Sequence, residues 1–268
     1  MENGHIYFLF RPKIDVEDPE SIQDVQHTYI ILKPSFTKAT KHPEKRQPTM
    51  IIVGAKKLPS AKRHDRYWGF VAASSKDMNG LVNDFKESTH YTKTRGERTV
   101  PAARILGEGV YSISKRGRNS YLAYILKTPD EPTQVQNAFH LEKEASMIFT
   151  IKNPTKPPKT STSETATQTS DQKQPNFPSW LQEEFNDKRF IGMTETTLFL
   201  NYPSTQVILI GARHSIDKDE LGEDTVDALS ELSEEEDQDT ETKSNKRILD
   251  QLHLRTKDIP MEPLEGEW

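Results

Sequence analysis

The chain has 268 residues, of which 33% are hydrophobic and none is a cysteine. A fully folded chain has apolar residues at nearer half of its positions, so part of this one is expected to be disordered. The lack of cysteine excludes disulfides, thiolate metal ligands and cysteine nucleophiles, and it favours a reducing intracellular compartment.

The N-terminal stretch reads MENGHIYFLF and lacks the basic start and the long apolar region of a signal peptide. No window approaches the roughly 18 consecutive apolar residues of a membrane helix. The sequence therefore predicts a protein of the cytoplasm, the nucleus or both, without membrane association.

The net charge of −5 hides a division between the two parts of the chain. Residues 1–160 contain 26 Lys and Arg against 17 Asp and Glu, a net charge of +9, whereas residues 161–268 contain 10 against 24, a net charge of −14. Such asymmetry is typical of polyanion-binding proteins with a self-shielding tail, and it is equally compatible with a tail that only increases solubility.

Short runs of β-branched and aromatic residues, separated by polar or Pro-containing loops, indicate many strands. Few segments have helical periodicity. The pattern predicts an α+β fold, mainly an antiparallel β-sheet that is curled or partly closed, with two or three short helices. The strand candidates are residues 5–10, 27–33, 50–56, 67–73, 109–114, 120–127, 145–152, 196–202 and 205–213. The helix candidates are residues 75–88, 132–141 and 179–185.

These strands predict a single β-rich domain over residues 1–213. A disordered excursion is expected at 154–176, which has no large aliphatic residue. Residues 214–268 are expected to form an acidic, largely disordered tail, with a possible short helix at 244–255.

Several segments resemble a set of uncharacterised proteins from fungal genomes that have no assigned activity. The segments are GHIYFLFRPKIDVEDPESIQDVQHTYIILKP, YTKTRGERTVPAARILGEGVYSI, SYLAYIL, MIFTIKNP and EPLEGEW. Some members of that set are labelled BTB-domain transcription factors, and this label implies a helix-rich dimerisation domain. The strand-rich pattern of this chain does not support the label, and the resemblance supplies no functional residues.

Three basic segments lie in the first half of the chain, and clustered cations are what phosphate backbones bind. We predict a polyanion-binding face if the segments converge. The candidate residues are Lys56, Lys57, Lys62, Arg63 and Arg66 in the first segment, Lys93, Arg95, Arg98 and Arg104 in the second, and Lys115, Arg116 and Arg118 in the third.

Tyr67, Trp68 and Phe70 directly follow the first basic segment. Exposed rings at these positions would stack on unpaired bases. The alternative is that the three rings are core residues of a strand and that the cations only line its loops, since no RNP-like, KH-like or zinc-finger pattern is present.

An enzymatic alternative uses His5, His27, His64 and His90 with Asp65 and nearby arginines for phosphodiester chemistry. The spacing of these histidines does not define a site. The sequence contains no metal-binding motif and no glycine-rich phosphate loop, so it predicts no metal and no cofactor.

Ser230 and Ser233 precede a run of acids, the context that an acid-directed kinase prefers. Phosphorylation of both is one interpretation, and a simple solubilising tail is the other.

Taken together, the sequence favours a non-enzymatic intracellular binding or adaptor protein whose basic face binds nucleic acid or an acidic protein and is screened by the acidic tail. It gives no indication of the oligomeric state.

Overall fold

A computed structural model shows the architecture of the chain. The structure describes residues 2–37, 43–94, 96–156, 174–193, 196–238, 245–255 and 258–268. Of the excursion expected at 154–176, residues 157–173 lie outside the described residues.

Strands dominate the fold, and the alternation of apolar residues along them follows the two faces of a sheet. The strands are β1 (Glu2–Pro12), β2 (Val25–Thr37), β3 (Thr49–Val53), β4 (Arg66–Ser74), β5 (Ser88–Thr92), β6 (Gly96–Val100), β7 (Arg104–Arg116), β8 (Asn119–Thr128), β9 (Glu144–Lys152), β10 (Phe190–Gly192) and β11 (Gln206–Arg213).

Eight of these strands close into an antiparallel barrel. Two four-stranded meanders, β1 to β4 and β7–β8–β9–β11, meet at two seams: β1 pairs with β7, and β4 pairs with β11. The short strand β10 continues the edge of β9 beyond β8, and β5 pairs only with β6 in a separate ribbon. Closure removes the exposed edges that an open sheet would present.

The main core lies inside the barrel, where side chains from alternate positions of the strands meet. Ile6, Phe8 and Phe10 of β1 point into this core, whereas Tyr7 and Leu9 point outward into a second cluster. Both faces of β1 are apolar. The inner face lines the main core, and the outer face is covered by other parts of the chain.

The helices are α1 (Asn79–Val82), α2 (Gln134–Ala138), α3 (Ser179–Glu183), α4 (Lys218–Leu221), α5 (Glu223–Gln238) and α6 (Asn245–Gln251). Helices α2 and α3 pack against the interior core through Val135 and Leu181, and the other four cover the outer wall. The wall of β1 to β3 is packed by residues 78–85 and by the C-terminal residues 248–264. The wall of β7 to β9 is packed by α4 and α5.

The C-terminal region, expected to be a largely disordered tail, therefore contributes buried apolar residues in its described part. Leu221 and Leu229 pack on one wall, and Leu252 packs on the other. Trp268 lies against the rings of Phe10 and Phe139, with ring centroids 6.2 and 5.6 Å away. Helix α6 falls within the range 244–255 for which a short helix was predicted.

The mainly antiparallel sheet predicted from the sequence is confirmed, but the barrel is closed rather than curled or partly closed. The strand predicted at 196–202 is wrong, because residues Leu198–Asn201 form a 3-10 turn. Leu198, Phe199 and Leu200 are consecutive and all buried, so their apolar run indicates burial but does not by itself distinguish a strand from a buried turn.

The two ends of the barrel differ in the loops they carry. We call proximal the end where β1 finishes, which carries loops 13–24, 54–65 and 129–143. We call distal the end where β1 begins, which carries the β7–β8 hairpin tip and residues 193–205.

Candidate anion-binding site

The first basic segment forms the loop between β3 and β4 at the proximal end, and residues 54–66 are called the basic loop from here on. Leu58, 2% exposed, anchors it in the barrel core, and the Leu58 backbone N–H donates to Phe139 O at 2.9 Å. Asp65 closes the loop on itself, because its backbone N–H donates to Ser60 O at 3.1 Å and its carboxylate accepts from Tyr67 at 3.2 Å. The loop is thus held in a defined shape.

The basic loop also packs on β11, which approaches it at a glycine. The Gly211 N–H donates to Asp65 O at 3.1 Å, and the His64 ring Nδ1 lies 3.2 Å from Gly211 O. A Cβ at position 211 would lie 2.4 Å from the Ser60 carbonyl, so only glycine permits this approach.

The basic loop presents most of its cations outward. Lys62, Arg63 and Arg66 are exposed, and Lys57 is half-buried. Lys56 is used internally, since its ammonium donates to Gln23 O at 2.6 Å. The loop's one acid, Asp65, pairs with Arg63 at 3.2 Å, which leaves a net positive surface.

The pKa of His140 is affected by the charges of the basic loop. Its Nδ1 lies 3.1 Å from Leu58 O. Burial lowers the pKa of His140, the charges of Lys57 and Arg63 lower it further, and Asp65 raises it. The ring lines a shallow pocket with Arg213 and Glu142, so a further cation from β11 joins the basic loop.

The second basic segment also lies at the proximal end, but two of its arginines, Arg98 and Arg104, are bound to other groups of the chain. Lys93 is exposed in the turn between β5 and β6, and Arg95 lies outside the described residues. Arg98 pairs with Asp15 at 2.5 Å. Arg104 is only 7% exposed, and its guanidinium donates to the backbone carbonyls of Trp268 and Glu17. Arg104 is thus occupied in holding the C-terminal segment.

An acidic loop separates the second segment from the basic loop. Residues 13–24 lie between them, since Asp15 contacts Arg98 and Gln23 contacts Lys56. This loop contains one lysine and five acids, Asp15, Glu17, Asp18, Glu20 and Asp24. The first two segments share one end of the barrel but do not form a continuous cationic face.

The third basic segment lies at the opposite, distal end. Lys115, Arg116 and Arg118 are exposed at the tip of the β7–β8 hairpin. Arg104 and Arg116 are the two ends of the same strand, 13 residues long, and are therefore about 40 Å apart. The hairpin cations cannot act on the same short stretch of ligand as the basic loop.

The aromatic residues after the basic loop divide between the two faces of β4. Tyr67 packs against the interior core. This is the position that the alternative interpretation of the sequence, core residues of a strand, predicts for all three rings. Trp68 and Phe70 lie on the outer wall and are half-buried. The Trp68 ring centroid lies 6.1 Å from that of Phe190.

The four histidines considered for catalysis occupy four separate places. His5 contacts Glu236 of α5 at 3.2 Å, His27 lies against Tyr29, His64 is in the basic loop and His90 is in the β5–β6 ribbon. The structure does not bring them together, whereas another histidine, His140, lines a pocket with Arg213 and Glu142.

A polar cluster that the sequence did not predict joins α5 and α6 to the barrel wall. His5, Glu108 and Glu236 offer ligand atoms within 4.8 Å of one another, a spacing that suits a metal ion. Arg247 instead bridges both carboxylates, at 3.3 Å from Glu108 and in direct contact with Glu236. The arrangement is that of an ion-pair network.

The two serines proposed as phosphorylation sites lie on α5. Ser230 is exposed, whereas Ser233 is half-buried and its hydroxyl lies 3.0 Å from the Lys127 ammonium. Ser230 is accessible to a kinase in the present position of α5, whereas phosphorylation of Ser233 would require the helix to move.

Comparisons of the chain with protein-family models, curated proteins and solved structures give no significant match. The resemblance to fungal proteins therefore stays a prediction. In the described part of the chain, no helix is both long and apolar enough to cross a membrane. Function must be argued from the fold and the site.

Proposed function

We propose that this protein is a non-enzymatic binding protein whose basic loop, together with Arg213, binds a polyanion, and that the polyanion is nucleic acid. The observation that carries the proposal is a loop of fixed shape with one acid and four cations that face solvent at least in part: Lys57, Lys62, Arg63 and Arg66. Phosphates are bound by such clusters largely through counterion release, which needs exposed cations rather than a deep pocket.

The sequence also suggested that the acidic C-terminal region screens the basic face. Described side chains of α5 form ion pairs with His5, Lys218 and Arg247, and Ser233 accepts a hydrogen bond from Lys127. None of these four partners belongs to the basic loop. Helix α5 packs on β7 and β8, away from that loop. We therefore propose polyanion binding without direct screening by α5.

The affinity for a fluorescent oligonucleotide at low and moderate salt tests the proposal. Three to four phosphate contacts from Lys57, Lys62, Arg63 and Arg66 predict a log–log salt slope of about −2 to −3 for a single strand. The variant Lys62→Glu/Arg63→Glu should bind about tenfold more weakly, and the loss of two contacts should lower the steepness of the slope by about 1.4.

A matched control reverses two charges at the opposite end of the barrel. Lys115→Glu/Arg118→Glu changes the net charge by the same amount, and we expect it to retain most of the affinity. Equal losses in both variants would mean that only the overall charge matters, and this result would contradict a site on the basic loop. Tight binding of an acidic polypeptide but not of an oligonucleotide would reassign the polyanion to protein.

A further inference from the structure

Part of the outer barrel wall carries apolar side chains that none of the three core clusters covers. On β4 the outward residues are Trp68 and Phe70, and on β11 they are Ile208 and Ile210. The wall of β1 to β3 on one side and that of β7 to β9 on the other are covered by helices and by the C-terminal segment. Trp68, Phe70 and Ile210 of this stripe are half-buried and Ile208 is 7% exposed. The stripe begins directly below Arg66 of the basic loop.

Two cations lie at the far end of this stripe. Lys152 of β9 is directly opposite Phe190 of β10 in the sheet register, so both side chains share the outer face. The Lys152 ammonium lies 6.0 Å from the Trp68 ring centroid, and the Arg189 guanidinium lies 5.3 Å from that of Phe190. Each cation therefore rests on an aromatic ring.

Neither cation has an anionic partner among the described residues. Lys152 is only 6% exposed, and the Arg189 Nε is buried without a hydrogen bond. Burial lowers the pKa of Lys152, and the neighbouring charge of Arg189 lowers it further. A buried cation beside a like charge is costly, and ring contacts alone offset only part of that cost.

We infer that Lys152 and Arg189 bind a phosphate of single-stranded nucleic acid, with unpaired bases lying against Trp68 and Phe70 of the adjoining stripe. A phosphate would neutralise the two cations, and a base would lie against the solvent-facing parts of the half-buried rings of Trp68 and Phe70, a contact that any base can make. This inference rests on the proposed function and names its substrate class, since the strand would continue from the stripe to the basic loop.

The closed barrel disfavours an extended acidic peptide at this place. Strands β4, β9 and β11 are hydrogen-bonded on both sides, and among the described residues the unpaired edge beside the stripe is that of β10, which is only three residues long. Such a short edge is a poor site for addition of an extended peptide strand. The stripe otherwise offers ring faces and cations. Nucleotides are recognised through these two features alone.

The test measures binding of a short fluorescent oligodeoxythymidylate and of a duplex of equal length. The variant Lys152→Met should bind the single strand about tenfold more weakly, and Trp68→Leu should lower single-strand affinity by a similar factor. Lys156→Met is the matched control, because the nearby Lys156 is already paired with Asp187. It should keep the affinity of the wild type.

Thermal unfolding of the same variants separates binding from folding. Lys152 is buried and has no anionic partner in the part of the chain that the structure describes, so its replacement by an apolar side chain of similar length should leave the melting temperature of Lys152→Met unchanged or raised. A loss of affinity without a loss of stability is the result that the inference predicts. A lower melting temperature would show that the ammonium stabilises the fold, and it would overturn the argument from an unpaired charge.

The outcomes distinguish this inference from the proposed function. If the wild type binds neither probe at low salt, both fail. If it binds single strand and duplex equally and Lys152→Met has no effect, the stripe inference fails and the basic loop remains the site. If polyglutamate binds more tightly than the oligonucleotide and depends on Lys152, the nucleotide assignment is overturned.

Discussion

At the scale of single residues, the positive charges of Lys57 and Arg63 act on the protonation of the nearby His140. Both charges lower the pKa of His140, since a nearby cation disfavours a second one. The same charges attract an anion, so the histidine provides a local probe of the site.

The variant Lys57→Gln should therefore raise the pKa of His140. Bound oligonucleotide should raise it as well, because phosphate charge favours the protonated ring. Titration of the His140 ring protons by NMR measures both changes. An unchanged pKa in Lys57→Gln, or a decrease on adding oligonucleotide, would contradict the proposed position of the ligand.

The sequence identifies the cations of the basic loop but not the residues that lie beside the loop in space. Five cations in thirteen residues are visible in the printed chain, whereas His140 and Arg213 join them only because α2 and the end of β11 meet the loop in space. Lys152 and Arg189 have no sequence signal either, since their adjacency depends on the pairing of β9 with β10.

At the scale of elements, Arg247 connects the C-terminal helices to the barrel. It lies between Glu236 of α5 and Glu108 of β7, and the Glu108 side chain is fully buried. Breaking a buried pair leaves an uncompensated charge, which costs more than the pair itself contributes.

The variant Arg247→Ala should lower the free energy of unfolding by about 3–5 kcal/mol. The double variant Glu108→Gln/Arg247→Met should recover most of the loss, because neither charge then remains. Arg255→Ala removes an exposed pair with Asp258 and should cost at most about 1 kcal/mol. Denaturant unfolding measures all three, and equal values for Arg247→Ala and Arg255→Ala would contradict the role assigned to Arg247.

The elements best predicted from the sequence are those with clear alternation. The sequence of β8 is apolar on both faces, a pattern typical of a central strand, and β8 does pair with β7 and β9. Strands β5 and β6 were missed, because the polar ribbon Ser88–Val100 has no apolar alternation. The helix expected at 75–88 reduces to α1 and one 3-10 turn, with Gly80 in α1.

At the scale of the whole molecule, barrel closure decides which basic segments act together. Composition alone cannot show that the hairpin cations and the basic loop lie at opposite ends, since this follows from the register of β7 against β1 and β8. Closure also turns β4 and β11 into neighbours, and this places the aromatic stripe directly below the basic loop.

The most direct test of the account is to map lysine reactivity toward an acetylating reagent with and without a bound oligonucleotide. Mass spectrometry of the modified peptides should show that Lys57 and Lys62 become protected on binding, while Lys93 and Lys115 react as before. Protection of Lys115 without protection of Lys57 and Lys62 would place the polyanion at the distal end and would contradict a binding site on the basic loop.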